Sequence, residues 1–239
     1  LGIGGVVLCG MAVVLAFHVS GRMALAKKIS ELKAQGLPTS FAELEAYSKL
    51  PEGTPNAADI YMKAFAAYQP LPDAEKQKLL PVLGEQPKPK GNEPYPKEQM
   101  DAAAEFIELN KEMFALLNEA GEIETCYYSM DYSQGPFSDA EAGIVKTIKL
   151  SSFSLSLAAI YYSQINQTEK ALLAVLDQFR LGQSMSRQYS ELPYLVQQAI
   201  LSMGVSGVLQ IINQAALSEN CLRQLQDHLQ QVNQNTAFK

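Results

Sequence analysis

The sequence predicts an all-α protein, with an N-terminal transmembrane helix and stalk followed by antiparallel helical pairs. Three observations carry this. Apolar residues recur at helical spacing along nearly the whole chain, with no alternating strand pattern to compete. Helix-starting residues, among them Ser40, Asn56 and Ser218, stand just before such runs. From Leu1 to Phe17 no residue is charged. Composition agrees: 239 residues that are 47% hydrophobic and 18% charged, with 3 Cys, exclude a disordered chain, a polytopic membrane protein and a disulfide-dense miniprotein. The net charge of −6 argues against a nucleic-acid partner, because phosphate contacts need a Lys/Arg stripe.

Residues 1–21 read as a transmembrane anchor. A helix over Leu1–Phe17 spans about 26 Å, just short of a hydrocarbon core of roughly 30 Å, and its glycines suit a membrane helix better than a soluble one. Two other readings stay open: a signal peptide cleaved after Ala24-Leu25-Ala26, against which Arg22 counts, and a buried soluble helix. Lipoprotein processing at Cys9 is set aside because bulky Leu8 precedes it. Residues 22–36 follow as a stalk with Leu25, Ile29 and Leu32 on one stripe, ending at Gly36 as a left-handed cap. Arg22, Lys27, Lys28 and Lys33 favour a cytoplasmic C-terminal side, Glu31 weakens that inference, and both orientations stay open at this point. The start at Leu1 and the Gln-rich helical end at Lys239 are both expected to be cuts.

Residues 37–83 carry short helices. Ser40 and Glu43 form a capping box for Phe41–Ser48, Asn56 caps Ala57–Tyr68, and a brief helix spans about Asp73–Leu80. The stretch 84–95 is a Pro-rich loop; its lysines Lys88 and Lys90, with Lys97, are expected to be solvated. The helical domain occupies 96–239 and is expected to continue past the end. One long helix is predicted from Pro96 to about Ala120, before Gly121. Two antiparallel pairs come next: 139–165 with 168–187, turning at Asn166-Gln167-Thr168, and 191–216 with 219–235, the last helix capped by Ser218. Ala159, Tyr162 and Ala171 stand at the separations of tetratricopeptide packing positions, although the Trp-Leu start and closing Pro of that repeat are absent. The pairs are therefore expected to stack as a short tetratricopeptide-like or solenoid-like layer rather than a closed bundle.

This layout resembles that of membrane-anchored helical proteins common in Planctomycetes and related bacteria. The resemblance rests on the anchor, on Gly36-Leu37-Pro38-Thr39-Ser40-Phe41, on Pro55-Asn56-Ala57-Ala58 with Tyr61, on the Pro-rich insert, and on the Cys-aromatic stretch Cys126–Gly135. It implies an extracytoplasmic, periplasmic helical domain on a single-pass anchor, and it carries no catalytic residues with it.

Candidate chemistry is sparse. His18 and His228 lie near opposite ends of the chain, so no metal site is expected, and no cofactor motif is present. Cys126 and Cys221 form a candidate disulfide in an oxidising compartment, with two buried free thiols as the other reading. Glu105, Glu108 and Glu112, then Glu119, Glu122 and Glu124, read as a solvated helix face. Asp131 is the candidate acid, because the rings of Tyr127, Tyr128 and Tyr132 would raise its pKa; a loop-capping role is the competing reading. The three tyrosines are also the candidate binding residues. The Ser151–Ser156 run lacks a nucleophile elbow and a His base.

The expected function is thus non-enzymatic: a membrane-anchored helical interaction or scaffold module of the cell envelope. Residues 1–17 would meet membrane lipid, and the helical layer would bind another protein or an envelope component. The alternatives are an envelope hydrolase using carboxylates near Asp131, and the scaffold part of a longer protein whose active region lies elsewhere.

Overall fold

The computed structural model describes residues 2–87, 89, 93–129, 139–188, 191–214 and 217–236. Helices make up 73% of the chain and no strand occurs among the described residues, so the all-α prediction holds. The chain divides into two compact units, one ending at Tyr47 in its described part and the other starting at Ser48.

In the first unit, α1 (Gly2–Ala34) is a single helix of 33 residues, about 50 Å long, so the stretches read as anchor and stalk are continuous. Along its last turns Ile29 and Leu32 are half-buried while Leu25 is 62% exposed. Gly36 ends it at φ 71°, with the Leu37 N–H donating to Leu32 O and the Gly36 N–H to Lys33 O. These two bonds satisfy carbonyls that every helix end leaves open, and a left-handed residue at this place favours glycine. α2 (Phe41–Ser48) starts as predicted, with the Glu43 N–H donating to Ser40 Oγ at 3.2 Å. The return bond of the capping box differs. Glu43 Oε2 accepts from the N–H and hydroxyl of Thr39, at 2.7 and 2.8 Å, rather than from Ser40.

In the second unit α3 (Ala57–Ala66) packs against α6 (Lys111–Gly121). The short α4 (Ala74–Leu79), capped by Asp73, lies on α5 (Lys97–Leu109). The long helix predicted over 96–120 is two helices, because Asn110 interrupts it. Buried Asn110 donates from Nδ2 to Gln69 O and Phe106 O, and its Oδ1 accepts from the Gln69 N–H. A side chain spent on the backbone of a strand of chain 41 residues away competes with helix continuation, and Asn is well suited to that competition.

α7 (Asp139–Gln164) and α8 (Thr168–Gln183) form the antiparallel hairpin expected, turning at Asn166 with φ 60°. α9 (Glu191–Gln214) lies against both of them, and α10 (Glu219–Thr236) takes α8 as its principal neighbour. The second predicted pair is therefore not a hairpin of its own. Glycines explain the close seat of α9: a Cβ on Gly204 would stand 2.7 Å from the Phe179 ring, and one on Gly207 would stand 2.8 Å from Val175. On the α7–α8 side, Gln178 Nε2 donates to Ser152 O, Ser152 Oγ and Ser156 Oγ, which satisfies the buried part of the serine run. Ala159 and Ala171 are buried as well.

Among the described residues, two helices, over Glu141–Gln164 and Glu191–Asn213, are long and apolar enough to cross a membrane. The first is mostly buried, as befits a core helix. The second buries much less of itself. From Leu192 to Ser218 no residue is charged, and Leu195, Val205, Leu209 and Ile212 are each about half or more exposed.

Candidate functional site

The start of α3 is held by the segment that follows α6. Asn56 caps α3 by accepting from the Ala58 N–H, and the same side chain accepts from the Tyr127 N–H at 2.9 Å and donates to Tyr127 O at 3.0 Å. The Ala57 N–H donates to Thr125 O, and the Thr125 hydroxyl to Pro55 O. Two motifs far apart in sequence, Pro55-Asn56-Ala57 and Thr125-Cys126-Tyr127, thus form one bracket.

From this bracket the aromatic segment enters the core. Cys126, Tyr127 and Tyr128 are all buried. Tyr128 stacks on Phe65 and leans on Tyr61, and its hydroxyl lies 3.0 Å from Ser184 Oγ. Burial pushes the Cys126 thiol up to about 12, so it stays protonated and is a poor nucleophile. The candidate bridge to Cys221 is not formed. Both are buried free thiols, Cys126 within hydrogen-bonding reach of Tyr128 and Ser184, Cys221 on the packed face of α10. Asp131 and Tyr132 lie outside the described residues.

Beside the bracket, a charged cluster joins α6 to α8. Asp177 is 4% exposed; it accepts from Asn118 Nδ2 and pairs with Arg180 at 3.0 Å. Arg180 reaches Glu122 at 2.8 Å with its other nitrogen. Burial raises the Asp177 carboxyl, while the Asn118 hydrogen bond and Arg180 pull it down. Gly121 makes room for this arrangement, since a Cβ there would meet Arg180 Cδ at 2.8 Å.

Over the cluster opens a cleft of about 560 Å³, in the size range of small-molecule sites. Tyr61 lines it from α3, Glu122 to Cys126 from the connecting segment, Arg180 and Gln183 from the end of α8, and Ser186 and Arg187 from the turn after it. Of the candidates named from sequence, Cys126 lines the cleft, and Tyr127 and Tyr128 are built into the packing beside it. Arg180 and Arg187 were not singled out. Their signal is weak: they stand seven residues apart, but α8 ends at Gln183 and Arg187 lies in the turn that follows. Among the described residues no group of three or more His, Cys, Asp or Glu side chains is placed to hold a metal ion.

Comparison with family models, with curated proteins and with solved structures returns no match for this chain.

Proposed function

We propose that the chain is a membrane-anchored helical interaction module of the cell envelope. In this reading residues 1–17 sit in lipid as a single-pass anchor and the rest of α1 is a stalk. The helical layer, tetratricopeptide-like in its α7–α8 hairpin, stands outside the cytoplasm, as in the Planctomycetes-type proteins the sequence resembles. The observation that carries the interaction role is the outer face of α9, where Leu195, Val205, Leu209 and Ile212 are exposed on a stretch without a single charge. Contiguous exposed apolar surface of this kind marks contact with another macromolecule.

Site-specific photo-crosslinking tests it. A photoreactive residue at position 209, in native membranes, is expected to give a discrete protein adduct, and one at position 75 on the exposed side of α4 none. Equal, diffuse labelling from both positions would count against a dedicated partner face.

A further inference from the structure

Polar groups on Tyr61, Gln183, Arg187 and Glu124 line the cleft beside α8 without a partner among the described residues. Tyr61 is 2% exposed, its ring packed on Phe65 and Tyr128, and its hydroxyl has no hydrogen bond within the protein, while Gln183 Nε2 of the same lining is buried with no partner. A buried amide nitrogen ordinarily has one. Arg187 has no counter-ion, whereas Arg180 on the same wall is already committed to Asp177 and Glu122. Glu124, which also lines the cleft, has no cation. Arg187 and Glu124 line one cleft with opposite charge and do not pair with each other.

These charges select the ligand. A guanidinium fork and a phenol O–H suit a carboxylate, the guanidinium by donating two parallel bonds to its oxygens. A purely anionic ligand would meet Glu122 and Glu124, a purely cationic one would meet Arg187, and a neutral one would leave both ends unmatched. A volume of about 560 Å³ holds a few residues of peptide and excludes a folded domain. We propose that the cleft binds a small zwitterion of the amino-acid or dipeptide class, its carboxylate received by Arg187 and the Tyr61 hydroxyl and its ammonium by Glu124. This site is separate from the α9 face, and its test stands or falls independently of docking there.

The test is calorimetric titration of the full chain in mild-detergent micelles with three probes: dialanine, N-acetyl-dialanine and dialanine amide. Dialanine is expected to saturate one site, and blocking either end to weaken binding about tenfold or more. Arg187→Gln should bind acid and amide alike, and Glu124→Gln should bind free and acetylated forms alike. Both are surface changes that leave the helical circular dichroism as it is. Tyr61→Phe should weaken dialanine several-fold. No saturation by about 10 mM dialanine, equal binding of the three probes, or unchanged affinity in Tyr61→Phe would overturn the proposal.

Discussion

Asp177 illustrates how much one buried charge depends on its neighbours. With Arg180 and Asn118 in place it is tolerated on a helix that is otherwise core. Truncating one partner of a buried pair costs more than the pair is worth, because the other charge stays behind. Arg180→Ala is therefore expected to destabilise the fold by on the order of 3 kcal/mol at neutral pH, and Asp177→Asn by much less, measured by urea unfolding. The acid dependence follows from the raised Asp177 carboxyl. A carboxyl whose folded pKa lies above its unfolded value contributes most below the unfolded pKa and loses that contribution as pH rises through the folded one. Without Arg180 the rise is larger, so the deficit of Arg180→Ala should shrink in mildly acidic buffer. Cys126 yields a second expectation: maleimide labelling of the native protein at neutral pH should be slow, and fast only after denaturation, because the thiol is buried and protonated. At this scale the sequence was legible where a residue acts on its own neighbours, as with Gly36 and Ser40. It was silent on Arg180, whose role is set by Asn118 and Glu122 on another part of the chain.

Helix starts were legible for the same reason. Phe41–Ser48, the beginnings of α3, α8 and α10, and the turn at Asn166 all follow from capping and turn chemistry within a few residues. The break at Asn110 was not, since the 3.6-residue pattern runs straight through it and the competing partner, Gln69, comes from far upstream. Asn110→Ala removes that tie and leaves the backbone of Gln69 unpaired, so a loss of about 1–3 kcal/mol is expected in chemical denaturation. The partner of α9 was equally hidden: periodicity names the buried stripe of a helix without naming what covers it. Gly204 is the local trace of that choice. Gly204→Val should cost about 1–3 kcal/mol by driving a branched side chain into the Phe179 ring, whereas a change at Gly143, around which a Cβ meets nothing, should be near neutral apart from helix propensity.

At the scale of the molecule, the packed core and the exposed apolar row occupy different surfaces. The core gathers Tyr61, Phe106, Met113, Leu155 and Phe179 on the inner sides of the second unit, while α9 keeps a row of large apolar side chains outside. Ile212→Glu should accordingly leave stability within about 0.5 kcal/mol, as exposed substitutions do, and abolish the adduct expected from a photoreactive residue at position 209. Such a separation was half legible: the uncharged run from Leu192 to Ser218 stands out in the sequence, but whether it faces inward depends on packing. The bracket at Asn56 has a consequence of another kind, in time. The side chain that starts α3 is completed by the backbone of Tyr127, 71 residues later. At a synthesis rate of about 5–20 residues per second, the ribosome needs roughly 4–14 s to deliver that partner. During that interval a nascent α3 has its cap but not its clasp, so the junction closes only after α4, α5 and α6 have been made.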